Sequence, residues 1–171
     1  MRYYRDLAIR VAILLVVFLI PLNLFYFIFL KPTLLFSGIF WLDKGVMFGN
    51  DFLMHNNEAL VFIPACIATS AYYLLFALVF LVKKMEWIKR IKVLISGFLF
   101  IFVGNIIRIN ILIYYYLNKN INMFENLHFL MWNVISTIYV ILVWLFLVYR
   151  FKIRGVPLID DIRFLWKKIK T

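Results

Sequence analysis

The chain has 171 residues, of which 66% are apolar, 20% aromatic and only 16% charged. Soluble domains are about half apolar and about a quarter charged, so this composition excludes an ordinary soluble fold and predicts a polytopic membrane protein. The net charge of +11 flanks the apolar runs instead of forming one basic patch, so it is a topology signal and not a nucleic-acid surface.

A single cysteine, Cys66, excludes an internal disulfide and any zinc site built on several thiolates. Two histidines, His55 and His128, are too few for a three-histidine metal site, and no cofactor is expected. No linker or internal repeat divides the chain, so one integral membrane domain over residues 1–171 is expected.

In chain order, a short segment with Arg2, Arg5 and Arg10 against Asp6 leads into a largely apolar run over residues 8–30. That run is long enough to span with some tilt, and no small-residue cleavage site follows it, so a retained first span is expected, kinked at Pro21. The connection from Lys31 to Ala59 carries Lys31, Asp43, Lys44, Asp51 and Glu58, net −1. Its apolar pieces alternate with turn dipeptides such as Lys44-Gly45 and Gly49-Asn50, which fits a short β-hairpin or a re-entrant segment. His55, beside Asn56 and Asn57, is expected to be solvated there.

A second span is predicted over residues 60–82, with Pro64 tolerated in its first turns. Residues 83–92 are net +4, and a third span over residues 93–117 is interrupted by Arg108, Asn105 and Asn110. A polar loop over 118–127, net zero, precedes a fourth span over residues 128–149. The tail from Arg150 is net +5, and residues 156–170 place Ile162, Leu165 and Ile169 beside Lys167, Lys168 and Lys170, the pattern of a basic interfacial helix. Basic segments stay cytoplasmic, so the expected fold is an all-α bundle of four transmembrane helices with both termini inside. The hairpin or re-entrant segment before the second helix then lies outside the cell membrane.

This topology brings three costly residues to one depth. Cys66 falls six residues into the second span, about 9 Å from its outer end at about 1.5 Å per residue. Arg108 lies about 13 Å from the outer end of the third span, and His128 opens the fourth. A lone membrane cysteine is usually packing material and a lone interfacial histidine usually solvated. An arginine within a span costs about 2.5–3.5 kcal/mol on insertion scales and marks function by default. Its structural alternative is a carboxylate pair, for which only Glu58 and Glu125 at the rims are placed, since no span carries Asp or Glu.

Together the three residues form a chemical set. A thiolate is the nucleophile and is favoured beside a cation. Histidine can take the thiol proton and pass it to a leaving amine, and arginine can stabilise an oxyanion. Asn105 shares the helix face of Arg108 and can orient it or a substrate. Thr69, Ser70 and Tyr73, on the Cys66 side of a second-span helix, read as packing positions.

Ala65-Cys66 at the opening of a span, Asn105-Ile-Ile-Arg108 in the next and His128 at the start of the last resemble the exosortase/archaeosortase family, over residues 60–132. Ile67-Ala-Thr69 after the cysteine is closer to the archaeal type than to the bacterial one. The resemblance implies a membrane-embedded cysteine transpeptidase with Cys66, Arg108 and His128 as catalytic residues and Asn105 as the motif's asparagine. It also implies substrate proteins carrying a C-terminal motif, an apolar helix and a basic tail. They would be cleaved at the outer face through a Cys66 thioester and transferred to an acceptor, expected to be a lipid. The hairpin would offer an edge for the extended motif. Two other readings fit the residues: an intramembrane cysteine protease whose thioester is resolved by water, and a non-catalytic assembly or scaffold subunit whose Arg108 pairs with a partner helix. A metal-dependent hydrolase is disfavoured by the scarcity of ligands.

Overall fold

In the computed structural model, the described residues are 23–41, 45–48, 51–54, 59–82 and 85–153, together with the helical positions Ala12 and Leu15. Helix α1 (Asn23–Ile39) is followed by strands β1 (Gly45–Phe48), β2 (Asp51–Met54) and β3 (Ala59–Val61). Helix α2 (Thr69–Leu81) and the long α3 (Trp87–Leu117) come next. The last helical stretch is α4 (Ile121–Leu130), a π-helical turn (Met131–Ile135) and α5 (Ser136–Arg150).

Two helical stretches are long and apolar enough to cross a membrane: Trp87–Leu117 with 31 residues and Ile121–Arg150 with 30. Their inward faces follow the helical repeat. Val93, Gly97, Ile101, Asn105, Ile109 and Ile113 recur every fourth residue on α3, and Val140, Val143, Trp144 and Leu147 form the buried stripe of α5. The outward faces are equally apolar, with Ile95, Leu99, Val103 and Ile107 exposed on α3 and Ile138, Ile141, Leu142 and Leu145 exposed on α5. A helix apolar on every side needs an apolar surrounding, as a membrane span has. Helix α1 buries Leu30, Thr33, Leu34 and Ser37, an i, i+3, i+4, i+7 stripe, and turns Phe27, Ile28, Leu35 and Phe36 outward.

The three strands form an antiparallel sheet in the order β1-β2-β3. Gly45 pairs with Met54 and Phe48 with Asp51, then Asp51 pairs with Val61 and Leu53 with Ala59. The expected hairpin is therefore one strand larger, and the re-entrant alternative is not what these residues form. Its third strand corrects the predicted second span. Residues 60–68 are not helical: β3 ends at Val61, residues 64–68 form a turn, and the helix begins only at Thr69. Pro64 therefore stands in that turn and not in a first helical turn. At 13 residues, α2 is about 20 Å long, short of about 30 Å of hydrocarbon.

Other boundaries also move. Lys31 lies within α1 and not in a connection, and α3 starts at Trp87, so Lys89, Arg90 and Lys92 extend the same helix as the third span. The predicted loop over 118–127 is a turn of three residues followed by α4, whose N-terminus is capped by the Asn120 Oδ1 atom accepting from Met123 N at 3.2 Å. Pro21, His55 and the helix predicted over 156–170 lie outside the described residues.

Two apolar clusters hold the helices together. One joins Phe25, Tyr72, Leu75, Val79, Val93, Ile101, Val143, Trp144 and Leu147. There Leu75 and Leu147 occupy the space a side chain at Gly97 of α3 would take, the small-residue device of membrane helix packing. The second joins Leu30, Leu34, Phe62, Ile67, Ile109 and Ile113, and it carries the turn that holds Cys66.

Candidate active site

The turn over residues 64–68 is built from overlapping backbone bonds. Cys66 N donates to Ile63 O at 2.9 Å, Ile67 N to Pro64 O at 3.2 Å and Ala68 N to Ala65 O at 3.3 Å. Thr69 adds a bond from Oγ1 to Pro64 O at 3.2 Å. Below it Ile67 is fully buried in the second apolar cluster. Ala68, the residue that starts α2, has φ 58° and ψ 37°, a left-handed conformation that costs a non-glycine residue about 1–2 kcal/mol. Such a conformation persists only where the surroundings hold it.

What holds this one comes from a single face of α3. Asn105 Nδ2 donates to Cys66 O at 3.0 Å. Arg108 Nη2 donates to Ala65 O and to Cys66 O, both at 2.9 Å. Residues three apart on a helix lie side by side, so the pair acts as one clamp on the main chain of the cysteine. Two of its three bonds are charge-assisted and therefore stronger than ordinary amide bonds. Among the described residues no carboxylate pairs with Arg108; its Nη1 atom donates instead to Ser136 Oγ at 3.2 Å. Ser136 in turn donates to Met131 O at 2.5 Å, across the π-helical turn. Single-turn π segments insert one extra residue and occur often at functional sites. This one begins three residues after His128.

His128 is half-buried on α4, with its ring near Phe124 at 5.8 Å and Trp132 at 6.2 Å between centroids. Its buried Nδ1 atom has no hydrogen-bond partner among the described residues. A cavity of about 220 Å³ is lined by Cys66 and His128 together, with Val61, Phe62, Ile63, Ile109, Leu112, Ile113 and Phe124 as its apolar walls. A second, narrow cleft is lined by Arg108 and His128 with Ala65, Leu112, Met131 and Trp132. The cysteine, the arginine and the histidine thus come from three separate elements to adjoining walls of one region. No group of His, Cys, Asp and Glu suited to a metal ion occurs among the described residues.

Several sequence expectations change in detail. Cys66 is on a turn and not on a helix, so a depth counted in helical rises does not apply, and Thr69, Ser70 and Tyr73 do not share a helix face with it. Asn105 neither bonds the guanidinium nor stands apart from it; both groups share the Cys66 carbonyl. The Nη2 atom of Arg108 is committed to main-chain oxygens and Nη1 gives one bond to Ser136, which leaves the second N–H of Nη1 and the buried Nε, without a partner among the described residues, as its unused donors. Ser136 was not foreseen, because one serine in an apolar helix has no pattern of its own. The left-handed Ala68 was equally invisible, since alanine carries no signal for that conformation. In comparisons with known proteins, no family model, no curated protein and no solved structure gives a significant match to this chain.

Proposed function

We propose that the chain is a membrane-embedded cysteine transpeptidase of the exosortase/archaeosortase kind, archaeal in type. The observation that carries the reading is that Cys66 sits on a turn clamped by Asn105 and Arg108 and shares one cavity with His128. A nucleophile needs a fixed position and a base within reach, and a rigid main chain supplies the first.

In this reading His128 takes the proton of the Cys66 thiol, and the thiolate attacks the carbonyl carbon of the scissile peptide bond. The carbon–nitrogen bond breaks, the amine leaves with the proton held by His128, and the new C-terminus remains on Cys66 as a thioester. An acceptor nucleophile, a lipid in this proposal, gives its proton to His128 and displaces the thiol. Arg108 keeps the nucleophile's turn in place, and its remaining N–H groups, on Nε and Nη1, are the donors available to a developing oxyanion.

The proposed setting is a multi-pass cell-membrane protein with four spans, both termini in the cytoplasm and the site at the outer face. The second pass then combines α2 with the clamped turn. The loop charges support this orientation. The substrates are membrane-anchored proteins with a C-terminal motif, an apolar helix and a basic tail.

The test is mass spectrometry of a co-encoded protein with such a tail, in cells carrying the wild-type chain or Cys66→Ala. Processing and a modified C-terminus are expected only with the wild type. A folded Cys66→Ala protein that processes substrate at the normal rate overturns the proposal, and a free carboxylate on the mature end turns it into a simple thiol protease. A second reading, a non-catalytic assembly subunit, has one observation in its favour: the bonds of Arg108 are structural, to two carbonyls and a serine. It requires Cys66 to be unreactive toward maleimide.

A further inference from the structure

Strand β3 is the outer strand of its sheet. It pairs with β2 on one side and with no other strand among the described residues. In an antiparallel ladder, successive residues turn their N–H and C=O groups to opposite neighbours. Half of the backbone groups of β3 therefore face away from β2. An edge of this kind is a template for a further strand.

The edge leads somewhere specific. Val61 ends the strand, and Phe62 and Ile63 continue it to Ile63 O, which accepts from Cys66 N. Val61 and Ile63 are 63% and 48% exposed, so this stretch is open on the side that borders the cavity. Phe62 is buried, and its carbonyl accepts from Tyr26 Oη at 2.8 Å, which ties the stretch to α1. The track is thus fixed at its far end and runs directly into the turn of the nucleophile.

The cavity at the end of the track has the size and chemistry of a side-chain pocket. Sites for drug-sized ligands run from about 300 to 1,000 Å³, and a cavity of about 150 Å³ already accepts benzene. At about 220 Å³, this one holds a single large side chain and not a whole small molecule. Its walls are isoleucine, leucine, valine and phenylalanine, with only the Cys66 thiol and the His128 ring offering polar atoms from side chains. An apolar side chain fits it, and a charged one would lose its hydration without a partner.

We propose that the outer edge of β3 and the adjoining cavity form a binding site for an extended peptide, which adds a fourth strand to the sheet and places one large apolar side chain between Cys66 and His128. Main-chain pairing along residues 59–61 supplies register, and the cavity selects the residue, the division of labour seen wherever a peptide is taken up as a strand. The site rests on the cysteine-transfer reading for its consequence, because it puts the peptide bond next to the filled cavity within reach of the thiol.

The test uses the full chain in lipid nanodiscs with Cys66→Ala, so that binding is measured without chemistry. The probe is a fluorescein-labelled, terminally blocked octapeptide of alternating valine and threonine with one central leucine. Two isomers carry N-methyl groups on the odd or on the even residues. The expected result is saturable binding that one isomer loses by at least tenfold and the other by less than twofold, since only one set of amides faces β3. Replacing the leucine of the probe by aspartate is expected to weaken binding at least tenfold. In a Leu112→Trp protein, whose cavity is filled, leucine and alanine probes are expected to bind alike. Equal losses for the two isomers, or no binding up to millimolar probe, overturn the proposal.

A separate measurement, on the chain with its native cysteine, keeps the two readings apart. Saturating probe is expected to slow maleimide labelling of Cys66 at least fivefold. A reactive thiol that the probe does not shield removes the peptide site and leaves the catalytic reading standing. Isomer-selective binding beside an inert thiol removes the catalytic reading and leaves the peptide site.

Discussion

At Gly97, helix α3 meets α2 and α5 through the methyl groups of Leu75 and Leu147 against its backbone, with a hydrogen bond nearby from Tyr139 Oη of α5 to Phe100 O at 2.6 Å. Two to three turns further along the same helix, around Asn105 and Arg108, it meets the chain through four hydrogen bonds, two of them to one carbonyl. The first region holds helices side by side and tolerates some sliding, because dispersion is not directional. The second fixes one main-chain carbonyl against one helix face and tolerates little. Stability and position are therefore assigned to different parts of one helix, and substitutions in the two regions should separate them.

The largest expected effect is on position. Arg108→Lys keeps the charge but replaces a planar fork with a single ammonium, which cannot serve Ala65 O, Cys66 O and Ser136 Oγ together. Processing is expected to fall about 100-fold or more, roughly 3 kcal/mol of transition-state stabilisation, while thermal unfolding in detergent changes by a few degrees only. Equal activity in the lysine variant would show that charge alone suffices and would remove the clamp from the mechanism.

Gly97→Val should do the reverse. Its added methyls meet Leu75 and Leu147, and overpacking of this kind costs about 1–3 kcal/mol. The thermal midpoint is expected to drop, whereas maleimide labelling of Cys66 in the protein that remains folded keeps its wild-type rate. A changed labelling rate with an unchanged midpoint would erase the distinction between the two regions.

Ser136→Ala removes one bond to the guanidinium and one across the π-helical turn. About 1 kcal/mol of stability is expected to be lost, together with a several-fold drop in processing as Arg108 loses its bond to the helical stretch that carries His128. Threonine at this position keeps the hydroxyl and should restore most of the activity, which a purely volumetric role would not explain.

The smallest effect is expected at Ala68, whose φ of 58° suits glycine. Ala68→Gly relieves about 1–2 kcal/mol of backbone cost but gives back about 0.4–1 kcal/mol in the unfolded chain. A rise in stability between zero and about 1.6 kcal/mol remains, measured by denaturation in detergent. A marked loss would mean that the alanine methyl, and not the clamp, maintains the turn.

How far the sequence discloses this arrangement depends on the kind of signal each part leaves. Apolar runs reveal where helices lie, and α3 and α5 are found near their expected places. The same runs misplace α2, because Ala59-Leu-Val-Phe-Ile63 is as apolar as the helix after it and a short buried run does not distinguish strand from helix. The start of α4 did leave a signal, an asparagine cap at Asn120 ahead of a spaced apolar face. The polar loop composition outweighed it. At the site, Cys66, Arg108 and His128 stand out by what they cost in a membrane, so their identity is legible. Their connection is not, since three of the bonds that organise it end on main-chain oxygens and no residue type advertises a carbonyl.

That last feature reaches into how the protein can vary. Where two side chains bond each other, a change in one invites a matching change in the other, and the two positions drift together. Asn105 and Arg108 hold Ala65 and Cys66 by main-chain atoms that every amino acid supplies. Position 65 can therefore change its side chain without releasing the grip. Among the described residues, position 105 has no side-chain partner whose change would compensate for its own, whereas Arg108 has only Ser136, which lies outside the clamped turn. Across diverging copies of this chain, the clamp should appear as two fixed letters with no correlated mate in the turn they hold, so that contact inference from paired variation sees at most the link from 108 to 136 and passes over the grip on Cys66.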